Sequence, residues 1–277
     1  MKSKAILLIY LLLGFVLQAQ NLKVISYNIR FDNPADGENR WDLRKDFLAA
    51  QMQFYAPDVL GIQEGKLHQL QYLDSMMANY SYFGRGRDNS LNQGEFSAIF
   101  YNHNKLKLIK EATFWLSETP DKVSKGWDAM FERICTYGLF EDLQTKKRFY
   151  VFNTHFDHVG VMARTNSAQL IVSKIKAINK EQLPFILTGD FNSEINSEAY
   201  QYLATQLNDT RTISKSGSFG PAGTFNAFDF HKPVTTLIDF IFTSKNNIEV
   251  LKHATLSDSK DCKYPSDHLA VLAVLDF

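Results

Sequence analysis

The chain has 277 residues, 45% of them apolar and 13% aromatic, which is enough to bury the core of one large globular domain. Lysine plus arginine and aspartate plus glutamate number 30 each, so the balance argues against a protein that grips long nucleic acid through a strong basic field. Two cysteines, Cys135 and Cys262, are too few for a disulfide-dependent scaffold, and neither sits among other ligand-type residues at zinc spacing.

Residues 1–20 read as a secretory signal peptide. Lys2 and Lys4 make a short basic start, residues 5–16 an apolar run too short for a convincing membrane span, and Ala19 a small residue for cleavage. The mature domain is then 21–277, periplasmic or secreted and without a stable span. Export permits Cys135 and Cys262 to pair, and geometry decides whether they do.

Strand-like and helical runs alternate from there. Residues 22–26 are apolar and β-branched, ending at Asn28, and residues 41–55 carry Trp41, Phe47, Leu48, Met52 and Tyr55 at helical spacing. Residues 59–62 read as a buried strand and 66–77 as a second helix. Residues 96–101 and 106–111 predict a hairpin around Asn102-His103-Asn104, and 133–143 with 147–153 a second one. An amphipathic helix over 163–179 presents Leu170, Ile171, Ile175 and Ile178. A short strand at 184–188, a helix at 197–206 and strands at 237–243 and 269–277 complete the chain. Gly217, Gly220 and Gly223 with Pro221 mark an irregular surface loop. This order fits two packed sheets flanked by helices better than a purely parallel wind.

Polar residues recur at the ends of these apolar runs, where a packed core has no use for them. Glu64 closes the run that begins at Asp58, and a carboxylate there suits a hard cation such as Mg²⁺; a glutamate that opens the next helix is the plainer reading. Asp190 and Asn192 flank Phe191. In an extended segment both face one way, one to activate water and one to hold a phosphate oxygen; an Asx turn is the alternative. Asp239 lies inside an apolar run and needs a partner, for which His268, beside Asp267, is the natural candidate. His155 ends another strand, with Asp157 and His158 close behind. Glu95 can serve His155 as Asp239 serves His268, and the trio of His155, Asp157 and His158 also fits a zinc ligand set. Trp41, Trp115, Trp127, Phe225 and Phe228 lie in loop-like stretches, where they either stack on a substrate ring or pack loops onto the body.

Together these segments resemble the endonuclease/exonuclease/phosphatase superfamily, the deoxyribonuclease-like fold, over essentially the whole mature chain. The runs from Asn28 to Asp32 and from Asn153 to His158 are similar to its secreted bacterial branch. The resemblance implies a four-layer α/β sandwich, two mixed sheets packed face to face with helices outside. It implies Mg²⁺ (or Mn²⁺) at Glu64 with Asn28 and Asp267 nearby, and Asp190 as the group that orients or deprotonates water. Asn192 would hold the scissile phosphate, and His268 with Asp239 and His155 with Glu95 would stabilise charge or protonate the leaving oxygen. Arg30 and Arg133 match phosphate-contacting positions, and Asp157 and His158, outside the general pattern, belong to substrate choice. The expected function is a metal-dependent phosphoesterase acting on a phosphodiester, as a monomer. A DNase-like endonuclease is the alternative enzyme, not favoured by net charge, and a degenerate binding module the non-enzymatic one.

Overall fold

In the computed structural model, which describes residues 21–88 and 91–277, two sheets pack face to face between outer helices. In chain order the elements are β1 (Leu22–Asn28), α1 (Trp41–Tyr55), β2 (Val59–Gly65), α2 (Leu67–Met76), β3 (Tyr80–Phe83), β4 (Phe96–Asn102), β5 (Leu106–Trp115), β6 (Ile134–Asp142), β7 (Arg148–His155), α3 (Val161–Ile178), β8 (Phe185–Asp190), α4 (Glu198–Gln206), β9 (Asn208–Asp209), α5 (Thr210–Ile213), β10 (Ser218–Phe219), β11 (Asp239–Thr243), β12 (Glu249–Leu256) and β13 (Ala270–Asp276). One sheet has the order β10-β12-β13-β1-β2-β4-β3, the other β5-β6-β7-β8-β11-β9. The expected four-layer sandwich of mixed sheets is what forms. The signal peptide expected at residues 1–20 lies outside the described residues. No helix among the described residues is long and apolar enough to cross a membrane.

The central strands are buried on both faces, so they read as continuous apolar runs. Alternation splits them between layers. Val24, Val59, Val151 and Ile186 face the opposite sheet. Ile25 and Leu60 pack under α1 and α2, while Phe152 and Leu187 pack under α3 and α4.

The first expected hairpin does not form. β4 is already flanked by β2 and β3, so it has no free edge, and the turn at residues 102–105 instead carries the chain into the other sheet, where β5 pairs with β6. The second hairpin forms as β6 and β7. β12, absent from the sequence reading, pairs with β13. Cys135 is buried and Cys262 exposed, both unpaired.

A buried polar cluster ties the sheets together beneath one end. Asn153 on β7 donates to the carbonyls of Ile62 on β2 and Ala98 on β4, both at 2.8 Å. Its oxygen accepts from Gln63 at 2.6 Å and Thr188 at 2.9 Å, so the amide is fully satisfied without water. Gly61 permits this approach, because a Cβ there would lie 2.3 Å from Thr188 Oγ1.

Candidate active site

The site lies where several strands end together. β1 pairs parallel with β2, and β7 with β8, so Asn28, Glu64, His155 and Asp190 emerge at one end of the sandwich. His155, Asp190 and Asp239 stand opposite one another across β7, β8 and β11. Asp267 and His268 immediately precede the last strand. A cleft of about 410 Å³ gathers Arg30, Glu64, Asp190, Asn192, Asp267 and His268 on one surface, with Arg133, His155 and His158 alongside.

Asn28 is the hub. Its Nδ2 donates to Asp190 Oδ2 at 2.9 Å and Glu64 Oε1 at 3.1 Å, while its oxygen accepts the Arg30 amide at 3.0 Å. It therefore turns nitrogen, not oxygen, toward the carboxylates and holds them together. Glu64 Oε2 accepts the Phe31 amide at 3.1 Å. Glu64, Arg30 and Asn192 all have left-handed backbone, with φ of 63°, 55° and 45°. Such conformations in bulky residues mark places where the surroundings impose the geometry. The ladder of β2 also shifts register between Ile62 and Gly65, re-aiming Glu64.

Asp239 Oδ2 lies 2.8 Å from His268 Nδ1, the expected pair, and His268 Nε2 lies 3.7 Å from Asp190 Oδ2. Burial works against charge on His268, but Asp239 and Asp190 overcome it and hold its pKa well above the ordinary value. Burial, with Asp239 beside it, pushes Asp190 up to about 7 against the charge of His268 and the hydrogen bonds from Asn28 and Asn192. Burial also raises Asp267. The other imidazole behaves oppositely: burial, reinforced by Arg133 and Arg87, holds His155 well below its usual pKa and therefore neutral.

The segment after Asp190 does not stay extended. Asn192 N–H donates to Asp190 Oδ1 at 2.9 Å, closing the Asx turn. Both amide hydrogens of Asn192 are engaged, on His155 Nε2 and the Phe156 carbonyl, each at 3.0 Å. In this arrangement Asn192 steadies His155 and has no hydrogen left for a phosphate.

Two expected partnerships are corrected. Glu95 does not pair with His155; it accepts from Arg87 Nη1 at 2.7 Å, because the Arg87 amide bonds the Glu95 carbonyl at 3.0 Å and sets the two residues opposite each other. His155, Asp157 and His158 form no zinc set. Asp157 turns away to accept the amides of Phe131, Val159 and Gly160 and to pair with Arg133 at 3.3 Å. Burial opposes ionisation there, but those amides, with that of Met130, hold Asp157 low. Its part in the cleft is thus to fix Arg133, whose Nη2 meets His158 Nδ1 at 3.1 Å. Arg30 is engaged by Asp36 at 2.9 Å and lies 3.7 Å from Asp267, so it enters the cleft half-shielded.

The donor set fits a divalent cation. Carboxylate oxygens of Glu64 and Asp190 lie within 4.8 Å of each other, with His155 Nε2, already engaged by Asn192, beside them. Glu64, Asp190 and Asp267 line the cleft, and burial raises the last two, a penalty that a hard cation would relieve.

Sequence reasoning overlooked Arg87, Phe131 and Arg44. Buried Arg44 donates to the carbonyls of Ile29, Arg30, Asn39 and Pro265, pinning the first and last loops of the cleft together. Among the aromatics, Phe225 packs edge-on to the His268 ring at 5.0 Å, whereas Trp41 and Trp115 are core.

The sequence pattern of the Endonuclease/Exonuclease/phosphatase family matches residues 25–268. An endonuclease/exonuclease/phosphatase family protein from Bacteroides thetaiotaomicron superposes with a TM-score of 0.90 at 38% identity, covering 94% of this chain and 99% of that one. The mannosyl-6-phosphatase of the same organism gives 0.88 at 38% identity, covering 92% and 100%. An Acanthamoeba polyphaga mimivirus protein is 28% identical over 72% of this chain and 80% of its own. The chain spans about half the length of the Ccr4 exoribonuclease subunit of Mycosarcoma maydis that it also matches.

Proposed function

The chain belongs to the endonuclease/exonuclease/phosphatase family, and from that premise we propose that it is a Mg²⁺- or Mn²⁺-dependent phosphoesterase whose substrate is a small phosphate monoester, a hexose phosphate in particular. The observation that carries the reading is the convergence of Glu64, Asp190, Asp267 and His268 on one cleft. The choice of a monoester departs from the diester expected from sequence. It is supported by 38% identity, over the full length of the partner, to a mannosyl-6-phosphatase, and by a cleft sized for a small molecule.

Glu64 and Asp267 would hold the cation, with Asn28 keeping Glu64 in place. When bound, it offsets phosphate charge and lowers the pKa of water. Asp190, with a pKa near neutrality, is matched to take the proton of the attacking water. His268, kept protonated by Asp239, donates toward the phosphoryl oxygens, where negative charge builds. Arg30 adds positive charge at the rim. The new P–O bond comes from water, and the ester bond breaks to give alcohol and inorganic phosphate.

The test measures inorganic phosphate from mannose 6-phosphate, 4-nitrophenol from bis(4-nitrophenyl) phosphate and nicking of plasmid DNA, with Mg²⁺, Mn²⁺ or chelator. Release from the monoester that chelator abolishes and metal restores is expected; inertness toward all three substrates overturns the proposal. We also read residues 1–20 as an export signal, which fractionation of expressing cells would check by finding the protein outside the cytoplasm with a new N-terminus near residue 21.

A further inference from the structure

One wall of the cleft is built from residues that the chemistry above leaves idle. Arg87, Glu95, Phe131, Arg133 and His158 line the same cavity as Asp190 and His268, on the His155 side. We propose that this wall is the leaving-group subsite and that it reads the hydroxyls of a neutral, polyhydroxylated ring rather than a second anion. The proposal rests on the phosphoesterase reading.

The wall holds unspent hydrogen-bonding capacity. Arg133 is only 4% exposed, yet its Nη1 has no hydrogen-bond partner among the described residues, and the buried Nε of Arg87 has only the distant Asp88 Oδ1, at 3.9 Å. A buried guanidinium N–H left unpaired is costly, so such donors are expected to have a ligand partner. Glu95 bonds Arg87 through Oε2 alone, leaving Oε1 as an acceptor among the described residues. His158 receives Arg133 on Nδ1, which leaves Nε2–H to donate.

Charge argues for hydroxyls. Arg87 is matched by Glu95 and Arg133 by Asp157. The donors are therefore free while the guanidinium charges are already compensated, and a second phosphate would meet Glu95 as well as the arginines. A hydroxyl, which both donates and accepts, satisfies an Arg–Glu pair at once. The apolar component is Phe131, 39% exposed, stacked on His158 at 5.8 Å and lying over Arg87 at 4.9 Å. A flat ring beside fixed polar groups is what a sugar with one C–H-rich face requires.

The experiment compares kcat/KM, with Mg²⁺, for mannose 6-phosphate, 4-nitrophenyl phosphate and fructose 1,6-bisphosphate in the wild type, Glu95→Gln and Phe131→Ala. Phe131 is exposed enough for its truncation to leave the fold intact, as thermal melts of each variant would verify. Both substitutions should lower the hexose-to-aryl ratio at least tenfold, chiefly through KM. A ratio unchanged within twofold in both variants overturns the proposal. So does a tenfold preference of the wild type for the bisphosphate, which would make the wall a second anion site. If the wild type hydrolyses none of the three, the phosphoesterase reading itself has failed, and calorimetry with mannose 6-phosphate decides the subsite: binding weakened tenfold by Glu95→Gln supports it, and no binding sinks it.

Discussion

Two buried carboxyl groups, Asp190 and Asp239, share one imidazole, and the cleft depends on their staying different. Asp239 is committed to His268 Nδ1 at 2.8 Å, whereas Asp190 is held by Asn28 and its own Asx turn with its other side open to the cleft. Asp190→Asn keeps shape and hydrogen-bonding size but cannot accept a proton. We expect a folded protein, unchanged by circular dichroism, with kcat lowered about 10²- to 10⁴-fold; near-normal turnover would remove Asp190 from the mechanism. Proximity of these groups to strand ends was visible in sequence, as was the need of Asp239 for a partner. The true partner of Glu95 was not, because Arg87 lies in an irregular segment whose path no periodicity predicts. Nor was the hub role of Asn28, whose bond to Asp190 spans 162 positions.

Among the elements, the joint between the sheets is what positions the site. Asn153 on β7 binds the backbones of β2 and β4 and the side chains of Gln63 and Thr188, just below the ends that carry Glu64, His155 and Asp190. Asn153→Leu would remove four hydrogen bonds from a dry interior, leaving Gln63 only its longer bonds to Ser26 and the Gly61 carbonyl and Thr188 only its longer bond to the Phe152 carbonyl. The expected loss is ~3 kcal/mol or more in urea unfolding, and a variant as stable as the wild type would refute the role of this joint. The individual strands and helices were largely legible, since each is specified by local apolar spacing and, for α4, by the Ser197 cap on the Tyr200 amide. Pairing was legible only where neighbours in sequence are neighbours in space, as for β6 and β7. The turn from β4 to β5 has the same Asn-rich chemistry as a hairpin, and the occupied edges of β4 decide otherwise.

The whole molecule responds to pH through a group remote from the cleft. His253 on β12 is buried against Ser218, with Nδ1 2.9 Å from its hydroxyl. Burial, assisted by Arg211, lowers its pKa from 6.5 to about 4. Above pH 6.5 it is neutral in both folded and unfolded chains. As pH falls from 6.5 toward 4 the unfolded chain binds a proton that the fold refuses, so stability is lost across that window. The depression corresponds to ~3 kcal/mol at full effect. The wild type should therefore lose ~2–3 kcal/mol more between pH 7 and pH 4 than His253→Gln, in paired denaturant titrations; parallel losses would show that the imidazole is protonated in the fold. Sequence by itself determined the sandwich, the placement of its polar strand ends and the identity of most cleft residues, because hydrophobic alternation and misplaced polar groups are local signals. Tertiary structure alone decided which carboxylate meets which cation, that Asn192 turns rather than extends, and that Arg87, Phe131 and Arg133 form one wall. Those outcomes depend on contacts within irregular segments and between distant ones, where burial and the competition for hydrogen-bond partners, rather than spacing along the chain, set the result.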